Sequence, residues 1–329
     1  MKTIAAILAA TGALTLAAGA ADAKTLIMAL DRAGTLYNAS GSGVAKVASQ
    51  HSGHRVIVRA FGGPDSYFGA LNDGKYDFST VSSSTAWFNY HGKNSAKKEY
   101  KNVRIIRSGS GALRLGFVVY DDSPIKKISD LKGMRVASDF GGHSVIGPMV
   151  AASLAVGNLT WKDVRAVPVT GALDSPRALG AERTDASWAS LGMPAVREIH
   201  AKRKVRYLSF GADPATLKSI QDATFPGVRM SKLPPLKHLG LPTPTHLLTY
   251  DSYVITHKDQ DPKIIRAVLE GLWKGTEEIR KAHFSLRGFT QKSAASDLPM
   301  IPHHPEAIAF YKEKGIWTDE IAKADAMLK

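Results

Sequence analysis

The chain has no cysteine, and this absence excludes several classes of function. Without a thiol there is no disulfide framework, no cysteine-ligated zinc site and no thiol nucleophile. Beyond residue 23, no segment reaches the ~20 consecutive apolar residues that a membrane-spanning helix needs. The hydrophobic fraction of 44% is ordinary for a globular protein, and 329 residues suffice for one large or two medium-sized domains. The sequence therefore indicates a globular protein with a substantial core.

Residues 1–23, MKTIAAILAATGALTLAAGAADA, are typical of a secretory signal peptide. Lys2 supplies the positive charge, a stretch of small and apolar residues follows, and Ala21 and Ala23 are the small residues that precede a cleavage site. We expect the signal peptide to be cleaved, the mature chain to begin near Lys24, and the protein to be soluble, exported and periplasmic.

Acidic residues are fewer than basic ones, since 29 Asp and Glu stand against 43 Lys and Arg, which gives a formal net charge of +14. Cleavage would leave this charge unchanged, because it removes only Lys2 and Asp22. The basic residues are spread along the chain and their densest run, 200–206, is short, so we predict no nucleic-acid partner. A positive field instead favours anionic solutes.

Strand and helix patterns alternate along the chain, which predicts an α/β fold with mostly parallel sheets. Short apolar or β-branched runs at 24–30, 54–61, 77–81 and 113–120 predict strands. Asp261 and Pro262 predict the start of a helix with one apolar face. The segment 225–246 holds five prolines and predicts an extended connector. We expect two lobes joined by two hinge crossings, with lobe 1 at 24–118 and 247–329, and lobe 2 at 119–246.

Several segments resemble one family, in the order that the family has them. They are GTLYNASGSGVAKVAS, GALNDGKYDFSTVSSSTAW, DSPIKKISDLKGMRVAS followed by GGHS, TYDSYVITHKDQDPKIIRAVLEGLW and HPEAIAFYKEKGIW. They are similar to the TAXI-type solute receptors of tripartite ATP-independent periplasmic (TRAP) transporters. The likeness covers residues 24–320. The IxxISDLKGxRV stretch is shared by many type II periplasmic binding proteins, whereas GTxY and LNxGxxDF are more specific to the TAXI family.

The resemblance implies a type II periplasmic binding protein fold and a receptor that passes a small organic anion, carboxylate or amino-acid-like, to TRAP-type permease subunits. It implies neither an enzyme nor a cofactor, and we expect a monomer. The chain departs from the family in LDRAGT, in GGP at 62–64 and in VSSS at 81–84. Because these segments belong to the ligand loops, the resemblance does not name the ligand. The alternatives are a binding subunit of an ATP-driven importer for sulfonate-like or aromatic anions, and a periplasmic enzyme on the same fold.

Four loops rich in glycine, serine or threonine leave predicted strands at their carboxyl ends, where ligands bind in open α/β sheets. They are 31–37, 62–66, 82–85 and 139–144, and each precedes a helix whose free N–H groups favour anions. We predict that most of them face one cleft. The candidate ligand-binding residues in these loops are Arg32, Gly34, Thr35, Tyr37, Gly62, Gly63, Ser83, Ser84, Gly142, His143 and Ser144. Thr170, Trp188 and Tyr250 are further candidates, and the family pattern places Tyr37 and Trp188 on segments that face the cleft.

Other features of the sequence do not predict catalysis or a metal. His143 adjoins Ser144 and lies near Asp139, but no third residue with a catalytic role is visible. His303 and His304 are adjacent rather than four residues apart on a helix, so we predict no metal site. Arg32 can bind a carboxylate through two hydrogen bonds, or it can be a solvated side chain.

Overall fold

A computed structural model of the protein describes residues 23–328. Apart from Ala23, the predicted signal peptide lies outside the described residues. The strands are β1 (Thr25–Asp31), β2 (Arg55–Phe61), β3 (Phe78–Ser82), β4 (Val103–Tyr120), β5 (Arg135–Ser138), β6 (Arg165–Pro168), β7 (Ser187–Ser190), β8 (Val205–Tyr207), β9 (Arg229–Leu233) and β10 (Thr245–His257). The α-helices are α1 (Leu36–His51), α2 (Pro64–Asn72), α3 (Ser83–Tyr90), α4 (Ile146–Ala155), α5 (Asp174–Gly180), α6 (Pro194–Lys202), α7 (Pro214–Ala223), α8 (Pro262–Lys274), α9 (Thr276–Ala282), α10 (Pro305–Glu313) and α11 (Asp319–Ala326).

Two long neighbouring strands, β4 and β10, organise the molecule. The main sheet has the order β2-β1-β3-β10-β4-β7, with β8 also pairing with β4 and β9 with β10, and β5 and β6 form a separate pair. The predicted α/β class is confirmed, but the sheet is mixed. The pairs β1–β2, β1–β3 and β5–β6 are parallel, whereas the pairs that β4 and β10 make are antiparallel. The β4–β10 pair is antiparallel because β4 leaves lobe 1 and β10 returns to it.

Lobe 1 is built on β1–β3 with helices α1–α3 and α8–α11, and lobe 2 on β5–β9 with helices α4–α7. The predicted helix after Asp261 is present as α8, and the Asp261 side chain accepts a hydrogen bond from the N–H of Lys263. Its buried face packs on α1 and the sheet through residues that include Ile265, Val268 and Leu272. The lobe boundaries given above stay predictions, since β4 and β10 belong to both lobes.

The structure differs from the sequence prediction in three elements. The proline-rich segment is not wholly extended connector, because it contains β9 and a 3-10 turn at Lys237–Leu239. Strand β4 begins at Val103, ten residues before the predicted start, since the glycines at 109 and 111 interrupt the apolar pattern. Helix α11 was not predicted. Within residues 23–328, no helix is long and apolar enough to cross a membrane.

Candidate functional site

A cavity lies between the two lobes. The space that the centre of a water molecule can occupy in it is about 70 Å³, so the cavity suits a small molecule. The residues that line it are Asp31, Thr35, Leu36, Tyr37, Pro64, Tyr67, Val81, Ser82, Ser84, Thr85, Leu113, Leu115, His143, Val145, Ile146, Met149, Ala172, Trp188, Ala189, Ser190, Met193 and Tyr250. In the described part of the chain, this lining contains neither lysine nor arginine.

The lobe 1 wall is formed where β1 and β3 end and helices begin. Asp31 is the last residue of β1, and Thr35 caps α1, its hydroxyl accepting from the N–H of Asn38 at 3.1 Å. Ser82 ends β3 and caps α3 in the same way, accepting from the N–H of Thr85 at 3.0 Å. Serine and threonine favour such caps because their oxygens satisfy the free N–H groups of the first turn. The predicted strand–loop–helix pattern therefore brings polar side chains to one wall.

Hydroxyl groups on this wall bond to one another. The Tyr37 hydroxyl shares a hydrogen bond of 2.8 Å with Ser252, and Ser82 shares one of 2.8 Å with Ser84. Burial raises the pKa of Tyr37 well above its ordinary value, and the negative charge of Asp31 raises it further. Burial also raises the pKa of Tyr250, against a smaller opposing effect of its hydrogen bond with Ser84. Both phenols therefore keep their protons and present neutral hydroxyl groups to the cavity.

The lobe 2 wall is mostly apolar. The first turns of α4 contribute Ile146 and Met149, with Val145 directly before them. Trp188 on β7 packs edge-to-face on Phe117 with ring centroids 5.1 Å apart, which fixes the indole against the sheet. Met193 completes this wall at the start of α6. A ligand in the cavity contacts hydrocarbon on this side, apart from His143 and Ser190.

His143 and Asp31 form a buried pair that joins the lobes. The His143 Nε2 atom lies 3.0 Å from Asp31 Oδ2, and the two side chains are 8% and 3% exposed. His143 Nδ1 accepts a hydrogen bond from the N–H of Ala172 at 3.4 Å. Because Nδ1 is an acceptor, Nε2 carries the ring proton and donates it to Asp31. Asp31 Oδ2 therefore receives its hydrogen bond from the other lobe.

Further hydrogen bonds connect the lobes beside the cavity. Asp65 of lobe 1 accepts from the N–H of Ser144 at 3.1 Å, and its own N–H donates to the Gly142 carbonyl at 3.1 Å. The Ser144 hydroxyl accepts from the N–H of Ser95 at 3.2 Å. We call Asp65, Ser95, Gly142 and Ser144 the interlobe clasp. It holds the lobes together around the cavity, and an Arg32 contact with the Thr170 hydroxyl at 3.5 Å adds to it.

Two glycines allow the lobes to approach this closely. A Cβ atom on Gly63 would lie 2.3 Å from the carbonyl oxygen of Gly142 and 2.5 Å from His143 Nδ1. Gly34 has φ of +92°, and a Cβ there would lie 2.9 Å from the Leu173 side chain in lobe 2. A Cβ on Gly62, by contrast, would have no neighbour within 4 Å. Gly63 is therefore a contact point between the lobes.

The structure brings six of the fourteen predicted site residues to the cavity, and it places the others beside it. Those that line the cavity are Thr35, Tyr37, Ser84, His143, Trp188 and Tyr250. Outside the lining are Arg32, Gly34, Gly62, Gly63, Ser83, Gly142, Ser144 and Thr170, most of them at the junction between the lobes. Ser83 is buried in the first turn of α3. Their roles in binding stay predictions.

The neighbours of His143 do not form a catalytic pair with it. Both of its ring nitrogens are used, by Asp31 and by Ala172, and the Ser144 hydroxyl bonds to Ser95. Among the described residues, no cluster of three or more histidines and carboxylates is placed to hold a metal ion. Arg114 also points away from the cavity, since its neighbours Leu113 and Leu115 face it and strand side chains alternate. The Arg114 guanidinium lies 5.6 Å from the Phe284 ring centroid.

Sequence reasoning missed Asp31 and the apolar wall apart from Trp188. Asp31 stands at the carboxyl end of an apolar strand, and that position is a usable signal, although the sequence prediction named Arg32 next to it. Val145, Ile146 and Met149 look in the sequence like ordinary core positions of an apolar helix. Only the closure of lobe 2 over lobe 1 shows that they face a cavity.

Comparisons with known proteins agree with this architecture. The model of the NMT1-like family matches residues 30–315. None of the curated proteins compared with the sequence matches it. A solved periplasmic transporter is 14% identical with a TM-score of 0.59, over 93% of this chain and 97% of that one. MatC from Rhodopseudomonas palustris with bound malate is 12% identical with a TM-score of 0.56, over 93% and 99%.

A binding protein component of a phosphonate ABC transporter from Pseudomonas aeruginosa is 11% identical with a TM-score of 0.54, over 93% of this chain and 95% of that chain. At these identities the likeness shows the fold, which is that of the type II periplasmic binding proteins. The predicted fold is thus confirmed.

Proposed function

The chain belongs to the NMT1-like family, and from that premise we propose that it is an extracytoplasmic solute-binding protein. It captures a small organic molecule between its two lobes and delivers it to a membrane permease. The observation that carries the proposal is the cavity of about 70 Å³, walled by both lobes and held by hydrogen bonds between them. A site assembled from two lobes exists only when they close, as hinge-closing receptors require.

The chemistry of the site supports binding rather than a reaction. The hydroxyl groups of the lobe 1 wall bond to one another, and burial keeps the phenols protonated. His143, the side chain best suited to proton transfer, bonds to Asp31 and to the N–H of Ala172. Such groups orient a ligand through hydrogen bonds, while the apolar wall excludes water.

The partner that we propose is a TRAP-type permease, on the resemblance of the GTxY and LNxGxxDF segments to TAXI receptors. A permease of an ATP-driven importer is the alternative, because receptors of both transporter types share this fold. Gene neighbourhood distinguishes them: a fused multi-span permease gene beside this one supports the TRAP assignment, and an ATPase gene contradicts it.

The proposal is tested by ligand screening followed by scattering. The mature chain is screened by thermal shift against a library of mono- and dicarboxylates, amino acids, sulfonates, alcohols and amines. The sequence prediction of an organic anion is tested by the same library. We expect at least one compound to raise Tm and, at saturation, to reduce the radius of gyration in small-angle X-ray scattering. If no compound binds, or if binding leaves the radius unchanged, the proposed function is wrong.

A further inference from the structure

The cavity contains one buried carboxylate oxygen without a hydrogen-bond partner. Asp31 is 2% exposed and lines the cavity. Its Oδ2 atom accepts from His143, but Oδ1 is buried and has no partner among the described residues. Buried polar atoms in proteins nearly always have partners, so each exception calls for a cause. At a cavity wall, the cause is a group that a ligand supplies.

The surroundings of Asp31 determine which kind of group this is. His143 donates to the other carboxylate oxygen, Oδ2, and the lining within residues 23–328 contains no lysine or arginine. Tyr37 and Tyr67 lie close enough to Asp31 for its charge to raise the pKa of both phenols, behind the larger effect of burial. Neither phenol bonds to Oδ1. Oδ1 is therefore a free acceptor, in a lining that supplies the carboxylate with no lysine or arginine.

From this geometry, and on the proposed function, we infer that Asp31 selects a solute that presents a hydrogen-bond donor, a hydroxyl or an ammonium group, to Oδ1. The body of that solute is apolar, because Ile146, Met149 and Trp188 form the facing wall. A carboxylate placed against Asp31 would bring two negative charges into contact in a buried site, which strongly disfavours binding. An anionic group, where the solute has one, lies away from Asp31.

Asp31 senses the donor group of the solute only when the lobes close. Asp31 belongs to lobe 1 and His143 to lobe 2, and their hydrogen bond forms when the lobes meet. The proton of His143 fixes one carboxylate oxygen, which leaves the other to the solute. A solute without a hydrogen-bond donor would leave Oδ1 unpaired in a closed cavity that excludes water, and an unpaired buried acceptor raises the free energy of the complex.

The test uses two sets of probes that share a carbon skeleton and differ in one group. The sets are butyrate, butan-1-ol and butylamine, and benzoate, benzyl alcohol and benzylamine, each titrated by calorimetry at pH 7 into the mature wild-type chain. In each set we expect the alcohol or the amine to bind at least tenfold more tightly than the carboxylate. This ranking requires no variant, so it does not depend on how a substitution folds.

The variant Asp31→Asn then reverses the selection. The amide oxygen of the substituted side chain would keep the His143 hydrogen bond, and its NH₂ group would turn a donor toward the solute. We expect alcohols and amines to lose at least tenfold in affinity and carboxylates to gain. Asp222→Asn, the same change at an exposed position paired with Lys218, is the control and leaves the ranking as in the wild type.

The outcomes separate this inference from the proposed function. Tightest binding of the carboxylates by the wild type, an unchanged ranking in Asp31→Asn, or failure of all six probes beside a hit in the library would overturn the inference and leave the receptor function standing. Absence of binding by both the probes and the library would overturn the receptor function as well.

Discussion

The two walls of the cavity differ in chemistry. Lobe 1 and the crossing strands present a carboxylate and hydroxyl groups from Asp31, Tyr37, Ser84 and Tyr250 among apolar side chains, whereas lobe 2 presents mainly hydrocarbon from α4, Trp188 and Met193. Hydrogen bonds carry direction and therefore specificity, while apolar contact contributes affinity in proportion to buried area. On the proposed function, lobe 1 would recognise the polar group of the solute and lobe 2 would cover its apolar part. Substitutions in one wall, or at the junction between the walls, should therefore have different effects on binding.

The largest effect is expected at the junction. Gly63→Ala places a methyl group 2.3 Å from the Gly142 carbonyl oxygen, so the walls cannot meet as they do here. Overpacking of this kind costs about 1–3 kcal/mol, which weakens solute binding about five- to 150-fold. Calorimetry with a compound that the wild type binds measures the loss. Scattering at saturation should also show a larger radius of gyration than for the wild type.

The neighbouring glycine provides the matched control. Gly62→Ala adds the same methyl group where nothing lies within 4 Å, so binding and closure should equal those of the wild type. Equal affinities of the two variants would show that the junction around Gly63 does not govern closure.

Gly62 and Gly63 also show which features of the fold and the site can be predicted from the sequence. The alternation of strands and helices predicted the α/β class, and Asp261 with Pro262 predicted the start of α8. The glycine–serine loops were correctly expected at the carboxyl ends of strands. The sequence does not distinguish Gly62 from Gly63, because the difference is the distance of each from a carbonyl group in the other lobe, far away along the chain.

Most of the apolar wall was beyond sequence reasoning for a related reason. The segment IGPMVAASLA is apolar on nearly every side, so its pattern does not reveal that Ile146 and Met149 face a cavity while Val150 and Leu154 face the core. Local pattern predicts elements, but contacts between lobes depend on how the lobes close. The same holds for Asp31. Only the structure shows that His143 bonds to its Oδ2 atom and that Oδ1 is left without a partner.

A smaller and uniform effect is expected on the sealing wall. Ile146→Ala removes three carbon atoms from a half-buried position at the first turn of α4, where alanine maintains the helix. The lost apolar contact amounts to about 1–2 kcal/mol, roughly tenfold in affinity. Calorimetry with the matched alcohols and amines should show the same factor for each, so their ranking is kept. A changed ranking would mean that lobe 2 also recognises the polar group.

The smallest effect is expected from a single hydroxyl on the recognising wall. Tyr250→Phe keeps the ring, which packs edge-to-face on Phe225 with centroids 5.3 Å apart, and removes only the group that bonds to Ser84. One neutral hydrogen bond contributes about 0.5–1.5 kcal/mol, so affinity should fall by up to about tenfold. The loss of affinity should differ among the alcohols and amines, because a hydrogen bond is directional and the Tyr250 hydroxyl suits some of these ligands better than others. Tyr120→Phe, which loses a hydrogen bond to the Leu179 carbonyl, is the matched control and should bind as the wild type does, because neither residue lines the cavity. Calorimetry on both variants measures these affinities. An equal loss of affinity for all the probes would mean that Tyr250 contributes packing only and that Asp31 alone recognises the polar group.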